Sequence, residues 1–201
     1  MFCILNEKMV QKMIEKDNSH KGNSKKSPAV FLDRDGVLCK EKSYITRLED
    51  LEIFPYTKDC IDEFHQKGCL AICITNQSAV ARGMMSEDVL QEMNTYLLQQ
   101  TGLDAIYYCP HHPNGTGPYR KQCSCRKPQT GMLQQAQEQF SIDMTHSYLV
   151  GDRASDVICG QNAGLKTVLL ESGYGTKRLE QEVTADFVCQ DLREFAFFMM
   201  E

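Results

Sequence analysis

The chain has 201 residues, 42% hydrophobic and 24% charged, which suits one globular domain with a sizeable core. Its net charge of −5 argues against a nucleic-acid binder, which shows a basic patch or stripe, and no apolar run is long enough to span a membrane. The start, Met1-Phe2-Cys3-Ile4-Leu5, has no basic segment ahead of its short apolar one, so no signal peptide is expected and the cytoplasm is the simplest location.

Residues 1–28 read as a flexible N-terminal extension. Met1 to Glu15 can form a short amphipathic helix, and Lys16 to Pro28, rich in Lys, Asn, Ser and Gly, reads as a linker. Residues 29–201 read as one domain in which strand-like and helix-like segments alternate, the pattern of a parallel α/β sheet. Strands are predicted at 29–32, 70–74, 105–108, 147–150 and 167–170, with a weaker one near 185–188. Helices are predicted at 57–67, 86–100, 130–140, 155–163 and 190–199. Ser86 before Glu87-Asp88 is a helix cap, and Gly68 after Lys67 is a helix stop.

The first strand, in Val30-Phe31-Leu32-Asp33-Arg34-Asp35-Gly36, ends in two aspartates two residues apart. On extended backbone both can face one site, and two carboxylates that close repel unless a cation lies between them. A divalent-metal site at the carboxyl end of a strand follows, where open α/β sheets place their ligands. The next strand runs into Thr75-Asn76-Gln77-Ser78, whose hydroxyl and amide groups can donate to a phosphoryl oxygen. Taken alone that is weak, since polar residues end most strands.

The chain carries ten cysteines, of which only Cys109, Cys123 and Cys125 cluster. With a histidine from Cys109-Pro110-His111-His112 they make a closed tetrahedral set of the structural-zinc type. Spacing alone leaves both histidines open, and a redox pair or three free thiols in a loop are the other readings. Arg126-Lys127-Pro128 follows: a fork and a point charge suited to an anion, or simply a solvated basic turn. Tyr148-Leu149-Val150-Gly151-Asp152-Arg153 again ends an apolar run in a carboxylate. Asp152 can serve a metal, or with Ser155 cap the following helix.

Taken together, Asp-x-Asp-Gly, Thr, Lys-Pro and Gly-Asp in this order resemble the haloacid dehalogenase superfamily of phosphotransferases and phosphatases over residues 29–175. The resemblance implies a doubly wound, mostly parallel, Rossmann-like sheet. It implies Asp33 as a nucleophile that forms an aspartyl-phosphate and Asp35 as the acid/base. Thr75 and Lys127 would hold the phosphoryl oxygens. Mg²⁺ would lie on Asp33, the Asp35 carbonyl and Asp152. The gaps from Asp33 to Thr75 and from Thr75 to Lys127 leave no room for a cap domain.

Tyr107-Tyr108-Cys109-Pro110-His111-His112-Pro113, the later Cys-x-Cys-Arg-Lys-Pro and Ala81-Arg82-Gly83 closely resemble a narrower family, the D-glycero-D-manno-heptose 1,7-bisphosphate 7-phosphatases. That family removes the C7 phosphate, and its product feeds synthesis of ADP- or GDP-heptose for lipopolysaccharide or surface glycans. The resemblance implies a structural Zn²⁺ on Cys109, His111, Cys123 and Cys125. It implies substrate contacts from Arg34, Glu41, Tyr44, Asn76, Gln77, Ser78, Arg126 and Arg153. A small phosphorylated sugar as substrate, no nucleic-acid or membrane partner and a monomeric chain are expected. Two departures bear on this. Arg153 and Ala154 after Gly151-Asp152 look more like histidinol-phosphate phosphatase, the alternative, and Ser43-Tyr44 replaces a common Gly-Tyr. A catalytically inactive, zinc-stapled binding protein is the reading of another class, and the complete set Asp33, Asp35, Thr75, Lys127 and Asp152 argues against it.

Overall fold

A computed structural model describes residues 2–5, 26–179 and 181–200. Seven strands form one sheet in the order β1-β4-β3-β2-β5-β6-β7. They are β1 (Phe2–Leu5), β2 (Ala29–Leu32), β3 (Leu70–Asn76), β4 (Ala105–Cys109), β5 (Tyr148–Gly151), β6 (Lys166–Leu170) and β7 (Phe187–Cys189). All neighbours pair in parallel except β1 and β4. The helices are α1 (Thr57–Gln66), α2 (Ser78–Ala81), α3 (Glu87–Thr101), α4 (Gly131–Gln139), α5 (Ala154–Asn162) and α6 (Leu192–Met200).

The inner strands are apolar throughout because both of their faces are covered. Side chains alternate between two cores. Val30, Leu32, Ala71, Cys73 and Ile106 face Ile61 and Phe64 of α1, Leu90, Met93 and Leu97 of α3, and Phe195 of α6. Phe31, Ile72, Ile74, Ala105 and Tyr107 face Met132, Leu133 and Ala136 of α4 and Cys159 of α5. The result is a helix–sheet–helix sandwich, the doubly wound architecture expected. No cap domain interrupts it among the described residues.

Ser86 caps α3 by accepting from Val89 N at 3.3 Å, and Gly102 ends that helix in the left-handed region at φ 80°. Gly68 ends α1 in the same region, at φ 75°. β3 runs two residues past the predicted end because its pairing with β4 continues through Asn76↔Cys109. The short helix α2 has no counterpart among the predicted elements.

The N-terminal helix expected over Met1 to Glu15 is corrected at its start. Phe2–Leu5 is an edge strand with the register Phe2↔Tyr108 to Leu5↔Ala105. An apolar Phe-Cys-Ile-Leu run suits a strand, and it covers a β4 edge that is otherwise open. The rest of the expected helix, and most of the expected linker, lie outside the described residues. Ser27 is already anchored: its N–H donates to Ser141 O at 2.9 Å and its carbonyl accepts from Asp143 N at 2.9 Å.

The chain leaves β2 toward β3 and β4, then returns to the other side of β2 as β5 and β6. The switch point therefore lies between β2 and β5, and their carboxyl ends frame the crevice where such sheets bind ligands. At the opposite, structural flank, Phe195 is fully buried, with ring centroids 5.9 Å from Phe64 and 5.3 Å from Tyr148. Phe195→Ala is expected to cost about 3–5 kcal/mol by leaving a cavity; a lowered midpoint of urea unfolding is the check.

Candidate active site

Asp33 directly follows β2, and its N–H donates to Val150 O of β5 at 2.9 Å, so the aspartate is fixed by the sheet itself. Its Oδ1 accepts from Arg34 N at 2.7 Å and lies 3.0 Å from Lys127 Nζ. The Lys127 ammonium also lies 2.6 Å from Asp156 Oδ1 and donates to Ile74 O at 2.9 Å. The lysine is placed by Asn76 at the end of β3. Asn76 accepts from Lys127 N at 3.0 Å and donates to Lys127 O at 3.1 Å. Burial alone would depress Lys127, but Asp156 and Asp33 more than offset it, so it stays a cation.

Asp152 ends β5 and is wholly buried. Tyr174 N donates to its Oδ2 at 2.7 Å, whereas its Oδ1 is buried without a hydrogen-bond partner among the described residues. Glycines pack around it: a Cβ on Gly36 would lie 2.3 Å, and one on Gly173 2.0 Å, from Asp152 Oδ2. Carboxylate oxygens of Asp33, Asp152 and Asp156 fall within 4.8 Å of one another. Burial pushes Asp33 up to about 6 and Asp152 up to about 8, with neighbouring carboxylate charge adding to both. Carboxylates of Asp33 and Asp152, one of whose oxygens is an orphan, fit a hard divalent cation, while Asp156 is paired with Lys127. The Asp35 carboxylate stands outside this cluster. The resemblance offers only its main-chain carbonyl.

A pocket of about 540 Å³ opens above these groups. Of the expected substrate residues, Glu41, Tyr44, Asn76, Gln77, Ser78, Arg126 and Arg153 line it, together with Asp33, Asp35, Thr75 and Lys127. Thr75 Oγ1 accepts from Gln77 Nε2 at 2.9 Å. Arg153 reaches from after β5 to Glu41 at 3.5 Å and lies 3.8 Å over the Tyr174 ring. Arg34 departs from the expectation of a substrate contact. It is completely buried, does not line the pocket and pairs with Asp35 instead.

Sequence reasoning missed four residues here. Asp156 lies one helical turn beyond Asp152, a spacing visible in the sequence. Arg82 stands in the quoted Ala81-Arg82-Gly83, and His112 beside the chosen His111. Tyr174 has no local signal, because only the fold brings it to Arg153.

The second cluster adjoins Arg126, which follows Cys125 and donates from Nη1 to His111 O at 3.3 Å. Sγ–Sγ distances are 3.5 Å for Cys109–Cys123 and 3.2 Å for Cys125–Cys123. His111 Nδ1 lies 3.8 Å from Cys109 Sγ and 3.5 Å from Cys125 Sγ. A tetrahedron with metal–sulfur bonds of about 2.3 Å and a metal–nitrogen bond of about 2.0 Å has S–S edges of roughly 3.8 Å and S–N edges of roughly 3.5 Å, so the donors lie within about 0.6 Å of the shell of one ion. His111 is the histidine in the cluster. His112 instead accepts from Asn114 N at 3.0 Å and faces the pocket, where burial and the charges of Arg126 and Arg82 lower its pKa. A contact from Cys109, then from Cys123 and His111, holds Cys125 well below the usual thiol range.

The HAD-hydrolase-like family profile matches residues 124–195. The chain is 39% identical over 170 residues to a D-glycero-beta-D-manno-heptose-1,7-bisphosphate 7-phosphatase of Haemophilus ducreyi, covering 82% of this chain and 93% of that one. It is 41% identical over 161 residues to a D-glycero-alpha-D-manno-heptose-1,7-bisphosphate 7-phosphatase of Photorhabdus laumondii, covering 75% and 86%. A solved D,D-heptose 1,7-bisphosphate phosphatase from B. bronchiseptica, complexed with magnesium and phosphate, superposes with a TM-score of 0.75 at 29% identity, covering 86% and 98%.

The raised carboxylates give a pH dependence of known sign. A group whose folded pKa exceeds its unfolded value of 3.8 stabilises fully below that value and loses this contribution as pH rises through the folded one, here about 6 for Asp33 and about 8 for Asp152. A cation that takes the place of those protons removes the loss. The rise in melting temperature produced by a hard divalent cation such as Mg²⁺ is therefore expected to grow from pH 5 to pH 8, and thermal scans across that range check it.

Proposed function

Since the chain belongs to the D-glycero-D-manno-heptose-1,7-bisphosphate 7-phosphatases, within the haloacid dehalogenase-like hydrolases, we propose that it removes the C7 phosphate of heptose 1,7-bisphosphate in two displacements. The observation that carries this is the Asp33–Lys127 pair at 3.0 Å on the floor of a pocket rimmed by arginines. Asp33 attacks phosphorus, and the bond to the C7 oxygen breaks. That oxygen leaves with the electron pair and takes a proton from Asp35. A water then attacks the aspartyl-phosphate, gives its proton to Asp35 and frees Asp33. Lys127 and Thr75 face the equatorial oxygens, where charge spreads in the transition state.

Asp33, Asp152 and the Asp35 carbonyl would hold Mg²⁺, which when bound neutralises phosphoryl charge and the acid cluster. Arg126 is placed to take the second phosphate, and Glu41 and Tyr44 to take sugar hydroxyls. Zn²⁺ on Cys109, His111, Cys123 and Cys125 is structural in this reading, since four protein ligands leave no position for water. It would fix Arg126, which adjoins Cys125 and donates to His111 O at 3.3 Å.

With Mg²⁺, phosphate release from heptose 1,7-bisphosphate is expected to exceed release from histidinol phosphate at equal concentration. Asp33→Asn is expected to lower turnover to below roughly a thousandth while leaving the melting temperature near wild type. Turnover of neither ester would sink the assignment, and an active Asp33→Asn chain would sink the nucleophile. Metal analysis of purified chain is expected to find one zinc per chain, lost in Cys125→Ser together with affinity for the bisphosphate. A zinc-free wild-type chain would refute the structural zinc.

A further inference from the structure

Arg34 is the largest side chain in the fold that is completely buried. Its guanidinium grips one carboxylate with both edges of the fork. Nε donates to Asp35 Oδ1 at 3.1 Å and Nη2 to Asp35 Oδ2 at 3.0 Å, while Nη1 is buried without a partner among the described residues. Its own main chain is equally fixed: Leu38 N and Cys39 N both donate to Arg34 O, at 2.9 and 3.1 Å. Removing a cation from water costs several kcal/mol, and an apolar side chain of similar size would fill the same space at less cost. A buried arginine that leaves one nitrogen unsatisfied is therefore poorly explained by packing alone.

The carboxylate it holds carries two further contacts, from Cys39 Sγ to Oδ1 at 3.4 Å and from Gln77 Nε2 to Oδ2 at 2.9 Å. An ionised carboxylate offers about four acceptor sites, so all four are in use. Proton exchange with a substrate requires one of them to open. Arg34 and Cys39 do not line the pocket, whereas Gln77 does. Gln77 Nε2 also has a second partner, Thr75 Oγ1 at 2.9 Å, so its bond to Asp35 can be given up while the other of its two donors holds the amide in place.

We propose that Arg34 is a positioning residue. It clamps Asp35 from beneath so that the oxygen covered by Gln77 is the one that gives the proton to the leaving oxygen and later takes one from water. This rests on the phosphatase reading above. A lysine could supply the charge as a compact point charge, but not the rigid planar fork that fixes the plane of the carboxylate.

The test separates an ester whose leaving group needs a proton from one whose leaving group does not. A sugar alkoxide leaves only when protonated, whereas p-nitrophenolate leaves unaided. Arg34→Met is expected to lower kcat on heptose 1,7-bisphosphate roughly 10- to 100-fold with KM within about threefold, a part of the roughly 100- to 10,000-fold a general acid supplies, since Asp35 itself remains. First-turnover release of p-nitrophenolate from p-nitrophenyl phosphate is expected to stay within about threefold of wild type, followed by slow turnover as phosphorylated chain accumulates. Arg34→Lys is expected to fall between, and keeps the test available if the methionine variant does not fold. Equal losses on both esters in an otherwise active, folded variant would overturn the role of Arg34 alone. A wild-type chain inactive on both would overturn the phosphatase reading and this role with it.

Discussion

The arrangement depends on one buried cation among three buried carboxylates. Asp33, Asp152 and Asp156 converge from the ends of β2 and β5 and the first turn of α5, and the Lys127 ammonium is seated against Asp33 and Asp156. Burying a carboxylate without a partner costs far more than a fold of this size can spare, so each must be paired, protonated or metal-bound. Lys127 accounts for Asp33 and Asp156. Asp152 is the remainder, with one oxygen on Tyr174 N and the other unsatisfied. One ammonium against three carboxylates leaves two negative charges uncompensated when all are ionised, and that Asp152 oxygen has no donor among the described residues, which is why the cluster reads as a cation site rather than an ion-pair network.

Holding that lysine in place draws in distant parts of the chain. Lys127 lies in the loop between β4 and α4, which has little regular structure. Two devices anchor it. Asn76 grips its peptide from the end of β3, and the Cys109–Cys125 cluster ties the start of the loop to the residues just before Arg126. Tyr119 braces the same loop from outside, its ring 6.2 Å from His111 and its hydroxyl donating to Glu87 of α3 at 2.6 Å. Under the proposed function, a soft donor set beside a hard one is a division of labour. The sulfur donors would shape a loop that cannot bury a core, and the carboxylates would hold the ion that meets the phosphate.

Much of this was legible in the sequence because buried parallel strands are unbroken apolar runs, and the polar residue that ends each one is displayed at the same edge of the sheet. Asp33, Thr75 and Asp152 each stand at such a break, so their convergence follows once the strands are parallel. The cysteine cluster was legible through its residue types. What escaped depends on contacts far apart in the chain. Phe2–Leu5 looks helical until β4 is seen to offer an open edge. Arg34 sits between two aspartates that face the site, but alternation sends its side chain into the interior, where it turns back to Asp35. The pairing of Asp156 with Lys127 spans 29 positions along the chain and has no local periodicity to betray it.

The pocket's charge pattern bears on what can enter it. Arg82, Arg126 and Arg153 stand around the rim, while the acids Asp33 and Asp35 occupy the floor. Under the proposed function a monophosphate would meet Lys127 alone, whereas a bisphosphate would meet floor and rim at once. Glu41 tempers this by sitting against Arg153 at 3.5 Å, and Tyr44 faces Arg82, whose guanidinium carbon is 5.7 Å from the ring centroid. Arg153 and Arg82 therefore already have partners from Glu41 and Tyr44, so a second phosphate would gain less there than its charge suggests. Arg126 differs: it donates to the main-chain carbonyl of His111, and burial lowers its pKa, opposed by Cys109 and Cys123 and aided by the charges of Arg82 and Arg153, so its positive charge is held at a cost. An anion arriving at Arg126 relieves that cost, which under the proposed function favours this arginine over its neighbours as the receptor for the second phosphate.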